Sequence, residues 1–431
     1  MSNVKVVRVK ESFDWIEIIE DVDSERYFDN NTITETQLWH IKEKWNELGL
    51  EQNAILWGDK KFKIINYVGY LQVQDVALEI LPKISPQNDY KQMRVTLIEM
   101  INTCYEFDII VDYASNELEH GELKEILANY FADTLLKELH RGIMQEYLLI
   151  EENANSLKGQ LLVAQHIRNN LLNNKPYQVA VRYEERINNN ILNQVLKSAV
   201  SLLTKTVRSF ETKKQLQQID YLLDTVENKI FTKHQLNEIK LNRTSKRFEK
   251  PFKLAKQFLQ NETNTMQHHS STNTFVIIFK MNDLFEAYIA ILLEGIIDRP
   301  VYIQDQRHRL FKNEITNRDI FQLKPDIVIG DDNQIIIDTK WKQIFDKEEV
   351  RRSGVKREDM FQMYAYLTRY KNASRGILLY PETGLIQSED LFIQSWKLED
   401  KDILLRVYSI SLVDRETTER ELLQILFNIT N

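Results

Sequence analysis

The sequence predicts an α+β N-terminal region, with a small β-rich, barrel-like part plus helices, followed by an α/β domain. Short strand-like runs recur across residues 4–86, which is typical of a small barrel or sandwich. Residues 89–228 instead carry apolar side chains at helical spacing. The order helix, hairpin, helix, strand across residues 274–380 is typical of an α/β domain.

The first of these parts contains one predicted helix among its strands. Residues 34–48 place Leu38, Ile41 and Trp45 on one side of a helix, and Thr34 is a suitable N-cap. A Gly-Asp-Lys-Lys sequence at 58–61 indicates a turn between strands. The predicted strands are residues 13–18, 54–57, 62–68, 69–73 and 76–81.

The middle of the chain is predicted to be mainly helical. Its helices are expected at residues 90–104, 122–149, 188–207 and 213–225, with one strand at 179–183 and a polar break at 151–155. Residues 229–256 are rich in Lys and Arg, which fits either a solvated face or a phosphate-contacting surface. A polar loop is expected at 261–273, where His268 and His269 lack a third ligand at usable spacing.

A hairpin at residues 323–340 is the most informative stretch. Two apolar, β-branched runs flank the turn Gly-Asp-Asp-Asn at 330–333. With the turn centred on Asp332, Asp326 faces Asp338, and such opposed side chains lie roughly 4.5–5.5 Å apart at Cβ. Lys340 shares the face of Asp338 because side chains alternate along a strand. The other face is expected to bury four isoleucines, Ile327, Ile329, Ile335 and Ile337.

Two opposed carboxylates on an apolar hairpin repel each other, and a divalent cation removes that conflict. Oxygen ligands beside a lysine suit Mg²⁺, with Mn²⁺ as the alternative. Such a metal polarises a phosphodiester and activates water, and Lys340 could orient that water or neutralise developing charge. The alternative is an edge hairpin whose Asp338 and Lys340 are simply solvated.

These residues resemble the signature of the PD-(D/E)xK nuclease superfamily. Pro325-Asp326 matches its first part and Asp338-Thr339-Lys340 its second. Glu286, in the apolar helix upstream, stands where that superfamily often has an accessory carboxylate. Gln362 and Tyr366 resemble the Q-x-x-x-Y helix of many such nucleases. The resemblance implies that Asp326, Asp338 and Thr339 bind the metal, and that the catalytic residues are Asp326, Asp338, Lys340, Glu286, Gln362 and Tyr366.

Composition and charge limit the remaining possibilities. The sequence has 431 residues with a formal net charge of −8, which does not favour tight DNA binding by this chain alone. Local cations nevertheless bracket the hairpin, namely Arg307, Arg309, Lys312, Arg351, Arg352, Lys356 and Arg357. A single cysteine, Cys104, excludes an internal disulfide. We expect a cytoplasmic protein without a membrane segment, since no long apolar run or signal peptide is present.

The order of other short stretches resembles the McrC family, the nuclease subunit of McrBC-type restriction systems. The matching pieces are Val68-Gly69-Tyr70, Leu78–Ile84, Leu157–Leu161, Ile167-Arg168, and Tyr183–Glu185 with Asn188–Asn193. The resemblance implies a McrB-like AAA+ GTPase ring as partner and double-stranded DNA as substrate. It further implies three parts: a β-rich docking domain (1–88), a helical docking and linker region (89–260) and a nuclease domain (261–431).

The resemblance also has consequences for assembly. No Gly-x-x-x-x-Gly-Lys-Ser/Thr loop is present, so GTP binding is expected to belong to the partner. A PD-(D/E)xK site cuts one strand per event, so a double-strand break would need either two copies of the site, as in a pair of whole complexes, or two collisions.

Two other functions remain open at this stage. One is a non-catalytic activator or adaptor of a ring NTPase, with a nuclease-like domain kept for DNA contact. The other is a stand-alone DNA repair or transposon-type nuclease, which the large N-terminal region disfavours. The intact set of Asp326, Asp338 and Lys340 favours an endonuclease subunit.

Overall fold

The computed structural model describes residues 4–20, 27, 29, 31–84, 89–110, 122–175, 177–260, 274–342, 344, 354–383, 391–399 and 401–427. By its internal contacts the chain divides into two compact units. Unit 1 joins Met1–Leu123 to Val276–Asn431, and unit 2 is Lys124–Phe275. Within the described ranges, no helix is long and apolar enough to cross a membrane.

The described residues form runs of strands separated by one or more helices. The strands are β1 (Lys5–Lys10), β2 (Ile16–Ile19), β3 (Thr32–Thr34), β4 (Ile55–Gly58), β5 (Lys61–Ile64), β6 (Tyr67–Val73), β7 (Val76–Leu81), β8 (Glu146–Ala154), β9 (Gln160–Leu161), β10 (Val179–Ile187), β11 (Phe275–Lys280), β12 (Val301–Ile303), β13 (Arg309–Lys312), β14 (Asp319–Gln322), β15 (Ile327–Ile329), β16 (Gln334–Thr339), β17 (Ala373–Pro381), β18 (Phe392–Lys397) and β19 (Leu404–Ile410). The helices are α1 (Glu35–Glu47), α2 (Tyr90–Tyr105), α3 (Leu123–His140), α4 (Val163–His166), α5 (Ile191–Thr206), α6 (Phe210–Leu222), α7 (Lys233–Glu238), α8 (Glu249–Gln260), α9 (Met281–Ile296), α10 (Arg357–Arg369) and α11 (Arg415–Phe427).

The N-terminal strands of unit 1 form two four-stranded sheets, with the orders β3-β2-β5-β4 and β1-β7-β6-β11. Both sheets and α1 contribute to one hydrophobic core, which includes Val7, Ile16 and Trp45. We call this part the N-terminal double sheet. It corresponds to the sandwich rather than the barrel alternative. Helix α1 begins as predicted, because Thr34 and Gln37 form a reciprocal capping box.

Strand β11 connects the N-terminal double sheet to the rest of unit 1. It pairs with β6 and leads at once into α9. Gly69 of β6 has φ +131°, and a Cβ there would collide with the Ile277 carbonyl oxygen. The close approach of these two strands therefore requires glycine. Helix α9 also packs against α2, so residues far apart in sequence share one compact unit.

The C-terminal part of unit 1 is built on a six-stranded sheet with the order β12-β15-β16-β17-β19-β18. Strands β16, β17 and β19 are parallel, whereas the β12, β15 and β18 pairings are antiparallel. Helix α10 covers one face, where Met363 and Tyr366 pack with Val328 and Ile336. Helix α9 packs against β12 and β16. The mixed α/β architecture expected for this region is confirmed.

Unit 2 is helical apart from one three-stranded sheet, with the order β8-β10-β9. The predicted helix at 122–149 was too long, because α3 ends at His140 and β8 follows from Glu146. The polar break expected at 151–155 is also wrong, since most of it lies within β8. Strand β8 is largely exposed along its length, so it lacks the alternating apolar pattern by which strands are recognised.

The three segments predicted from sequence differ from the two units. The boundary near 88 separates the N-terminal double sheet from α2, and the boundary near 260 assigns β11 to the C-terminal part. In the structure both β11 and α2 belong to unit 1. The functional division among the three segments stays a prediction. The loop at 261–273, with His268 and His269, and the cations Arg351 and Arg352 lie outside the described residues.

Candidate functional site

The predicted hairpin forms with the predicted register. Ile327 pairs with Ile337 and Ile329 with Ile335. Gly330, at φ +82°, lies against Arg299, whose guanidinium donates to the carbonyl oxygens of the turn at 2.9 and 3.0 Å. The positive φ favours glycine here, because a side chain at this position would be strained and its Cβ would also displace the Arg299 guanidinium.

The hairpin lies inside its sheet, between β12 and β17, and both of its faces are buried. The face predicted to be apolar is buried as expected. The opposite face, which carries Asp338, is covered by α10, and Asp338 has 0% exposure. This burial contradicts the alternative of a solvated edge hairpin.

Asp326 is fixed by its neighbour on the opposite strand. Its Oδ2 accepts hydrogen bonds from the Thr339 amide at 2.7 Å and from the Thr339 hydroxyl at 2.8 Å. Burial raises the pKa of Asp326, although these two bonds oppose the shift. The Thr339 side chain therefore orients Asp326. A direct role for Thr339 as a metal ligand stays a prediction.

Asp338 is the most unusual group at the site. Its Oδ2 forms an ion pair with the Lys340 ammonium, while Oδ1 is buried without a hydrogen-bond partner among the described residues. Burial and the nearby charge of Asp326 raise the pKa of Asp338 to about 7. A buried carboxylate oxygen without a donor is costly unless a cation or proton satisfies it.

Lys340 heads a chain of polar contacts that leads back to the hairpin. Its Nζ donates to Gln362 Oε1 at 2.9 Å, and Gln362 Nε2 donates to the Tyr366 hydroxyl at 2.8 Å. Tyr366 in turn donates to the Lys324 carbonyl at 3.0 Å. Gln362 and Tyr366 meet because residues four apart share one face of α10. The structure thus brings both predicted helix residues to Lys340.

Glu286 lies near the carboxylate pair. Its Oε1 accepts a hydrogen bond from the side chain of Gln304, through Nε2, at 2.8 Å. The backbone N–H of Gln304 donates to the backbone carbonyl of Asp326 at 2.7 Å. Burial and the charge of Asp326 raise the pKa of Glu286. All six predicted catalytic side chains are therefore found in one region of unit 1.

The predicted flanking cations are mostly engaged locally. Arg307 forms an ion pair with Asp305 at 2.7 Å, and the Arg309 guanidinium donates to the Gln306 and His308 carbonyls. Arg357 lies over the Phe361 ring, 5.0 Å from its centroid. None of these contacts involves the carboxylates of the site.

Sequence reasoning missed a second ion pair beside the site. Lys342 Nζ lies 2.8 and 3.1 Å from the two carboxylate oxygens of Asp359, near the start of α10. The Tyr380 hydroxyl is 3.4 Å from the same carboxylate. The charge of Asp359 contributes to the raised pKa of Asp338, so the two groups are close. Lys342 could have been noticed, because it follows Lys340 at the strand spacing of two.

The donor set at the hairpin fits a divalent cation. No group of three or more His, Cys, Asp or Glu residues within the described ranges is arranged to hold a metal unaided. Mg²⁺, however, is usually bound by one or two carboxylates, with substrate phosphate and water completing the shell. Asp326 and the unsatisfied Oδ1 of Asp338 meet that requirement.

The buried aspartate gives a prediction for the metal-free protein. Folded Asp338 holds its proton more tightly than the unfolded chain, so the free energy of unfolding should fall as pH rises from about 4 to about 7. The fall is at most about 1.4 kcal/mol per pH unit. Asp338→Asn should remove this dependence and raise the melting temperature at pH 8. Thermal melts in EDTA at pH 5 and pH 8 measure it, and parallel pH profiles for both proteins would contradict the assignment.

The contacts of α10 give a second prediction. Tyr366→Phe removes the hydroxyl that joins Gln362 to Lys324, and Gln362→Ala removes the acceptor of Lys340. For the DNA cleavage expected from the sequence, we predict a reduction of about 10–100-fold for each change, the usual effect of losing a contact that supports a metal site. Single-turnover cleavage rates provide the measurement. Tyr364→Phe is the matched control, since Tyr364 lies on the same helix and is 52% exposed.

Unit 2 carries a different surface. Large apolar side chains on and between β8, β9, α4 and β10 are exposed by 37% to 75%. They are Tyr147, Leu148, Leu149, Leu157, Leu161, Val163, Ile167, Leu171, Leu172 and Tyr177. We call this set the apolar ribbon. Exposed large apolar side chains in such number on paired strands are typical of a protein-binding surface.

Known proteins with a similar sequence or fold identify the family of this chain. A family model described as "McrBC 5-methylcytosine restriction system component" matches residues 62–381. A chain of the refined half-complex from the tetradecameric assembly of Thermococcus gammatolerans McrB AAA+ hexamers with bound McrC is similar in structure, with a TM-score of 0.72 and 19% identity. That alignment covers 97% of this chain and 100% of the other.

A second structural likeness agrees with the first. A chain of the Thermococcus gammatolerans McrBC complex aligns with a TM-score of 0.53 and 21% identity, over 67% of this chain and 87% of that one. At these identities the two likenesses concern the fold. A search of the curated proteins found no match.

Proposed function

Because the chain belongs to the McrBC 5-methylcytosine restriction system component family, we propose that it is the McrC-type subunit, a Mg²⁺-dependent DNA endonuclease that cuts when assembled with a AAA+ GTPase. One observation carries the catalytic part of this proposal. Asp326, Asp338 and Lys340 meet at a buried hairpin, and Asp338 Oδ1 has no partner among the described residues. This geometry supports the PD-(D/E)xK arrangement expected from the sequence.

Each side chain has a separate role in the proposed reaction. Asp326 and Asp338 would hold the Mg²⁺, which when bound polarises the phosphodiester and lowers the pKa of an attacking water. Thr339 keeps Asp326 oriented through two hydrogen bonds. Glu286, held by Gln304, supplies the accessory carboxylate beside Asp326.

Lys340 acts as a cation rather than as a base. Burial alone would lower the pKa of Lys340, but the charges of Asp338, Asp326 and Asp359 raise it overall. The ammonium therefore keeps its proton near neutral pH. Held by Gln362, it can donate a hydrogen bond to a phosphate oxygen as negative charge develops there.

The partner is proposed to bind unit 2 through the apolar ribbon. A similar solved chain belongs to an assembly of McrB AAA+ hexamers with bound McrC. The ribbon offers this chain a large apolar surface for such a ring, and burial of apolar surface drives most protein association. The net charge of −8 supports the same view, since a partner would then supply much of the DNA affinity.

A plasmid cleavage assay tests the proposed function. The purified chain is incubated with supercoiled plasmid and Mg²⁺, alone and with its McrB-type partner and GTP, beside an Asp326→Ala variant. Cleavage by the wild-type assembly only is expected. Stimulated GTP hydrolysis without any cleavage would instead support the non-catalytic adaptor.

A further inference from the structure

The residue after Lys340 is anchored outside the C-terminal sheet. Trp341 is only 3% exposed, and its ring lies edge-on to Phe285 with centroids 5.3 Å apart. Its indole Nε1 donates to Glu11 Oε1 at 2.6 Å. Glu11 directly follows β1, so a residue of the N-terminal double sheet holds the side chain of the residue that follows Lys340.

A buried ion pair completes this anchor. Lys83 Nζ lies 3.1 Å from Glu11 Oε1 and donates to the Trp341 carbonyl oxygen at 3.3 Å. The other carboxylate oxygen, Glu11 Oε2, accepts from the Ser12 hydroxyl at 2.6 Å and the Asn66 amide at 3.0 Å. Glu11 is 0% and Lys83 3% exposed. Two polar groups of Trp341, the indole N–H and the backbone carbonyl, are therefore bound by the same ion pair.

The position of this anchor matters more than its contribution to stability. A buried ion pair is often no more stabilising than apolar side chains of the same volume, because desolvation of both charges is costly. Trp341, however, stands between two parts of the candidate site. Lys340 precedes it in the chain, and Phe285, which it contacts, precedes Glu286 on α9. A shift of Trp341 would therefore move Lys340 relative to the carboxylates.

We propose that Glu11 and Lys83 are positioning residues for Lys340, so that DNA cleavage depends on the N-terminal double sheet. This inference rests on the proposed nuclease function. It assigns the N-terminal double sheet a role in catalysis that is separate from partner docking. The effect is transmitted through the Trp341 peptide and needs no contact between Glu11 or Lys83 and DNA.

The test uses the full chain assembled with its partner and GTP. Trp341→Phe keeps an aromatic ring but removes the indole N–H, and Glu11→Gln combined with Lys83→Met removes both charges at once. Because both charges of the pair are removed together, the double variant contains no unpaired charge at this position and should keep its fold. We expect kcat for cleavage to fall about 10–100-fold in both proteins. The KM for DNA and the stimulation of GTP hydrolysis should stay unchanged.

Arg94→Met is the matched control. Arg94 and Glu79 form another buried ion pair of unit 1, with Arg94 Nη2 2.8 Å from Glu79 Oε2 and Arg94 Nε 3.0 Å from Glu79 Oε1. This variant should melt at a lower temperature yet cut at the wild-type rate when folded. A general loss of stability would affect the control and the double variant alike, whereas positioning affects only the latter.

The outcomes separate this inference from the proposed function. If wild type cuts and the folded double variant cuts equally fast, the inference is overturned. If wild type does not cut, the nuclease proposal fails, and crystal structures of both proteins then decide the positioning role. Loss of the hydrogen bond between Lys340 and Gln362 in the double variant supports it, and an unchanged bond overturns it.

Discussion

Asparagine in place of Asp338 is expected to abolish DNA cleavage while the chain stays folded. The change removes one of the two carboxylates that would hold Mg²⁺, and an amide oxygen is a far weaker ligand for this cation. It also removes a buried charge that has no hydrogen-bond donor at Oδ1. Activity should fall below detection, more than about 10³-fold, even as the metal-free protein becomes more stable at alkaline pH.

The measurement is plasmid cleavage by the assembled complex with GTP and Mg²⁺. Asp326→Asn should behave in the same way, and Lys340→Ala should lose about 10²–10³-fold while still binding metal. Asp332→Asn is the control, because Asp332 is an exposed carboxylate in the turn of the same hairpin. If the Asp338→Asn or the Asp326→Asn variant cleaved DNA at the rate of the wild-type protein, the hairpin would not be the metal site.

Charging the apolar ribbon is expected to abolish activation of the proposed GTPase partner. Leu148 and Leu149 are 49% and 56% exposed, and as neighbours on β8 they point to opposite faces of the strand. The double change Leu148→Asp and Leu149→Asp places one charge on each face of a strand that is proposed to be buried on assembly. We expect partner affinity to fall at least about 100-fold, since buried unpaired charges are strongly unfavourable.

Stimulated GTP hydrolysis, titrated with this chain, measures the effect. Tyr221→Asp is the control, because Tyr221 is 79% exposed in the same unit but lies on α6, outside the ribbon. The double variant should keep the melting temperature of wild type, since the replaced side chains are exposed. Full stimulation by the double variant would place the docking surface elsewhere on the chain.

The hairpin could be predicted from sequence because its signals are local. Alternating isoleucines and a glycine-containing turn fix the register, and the register alone brings Asp326 opposite Asp338. The four-residue spacing of Gln362 and Tyr366 likewise places both on one helical face. What these patterns could not give was burial of the second face, which depends on α10 and on the neighbouring strands.

Long-range contacts were the part that the sequence could not reveal. Glu11, Lys83 and Trp341 come from distant segments, and nothing in their local sequence pairs a glutamate near β1 with a tryptophan beside Lys340. The pairing of Lys342 with Asp359 has the same origin. A fragment that begins at the predicted boundary near residue 261 would lack Glu11, Lys83 and strand β6, so the structure gives no support for an autonomous C-terminal fragment.

The discontinuity of unit 1 has a consequence for the order of events on the ribosome. Unit 2 is synthesised between the two halves of unit 1, and at about 5–20 residues per second its synthesis takes roughly 8–30 s. Unit 2 can therefore fold before the hairpin at 323–340 exists. During this time one edge of strand β6 lacks its partner strand, because β11 has not yet left the ribosome. In the nascent chain the proposed docking surface can thus form before the proposed cutting residues come together.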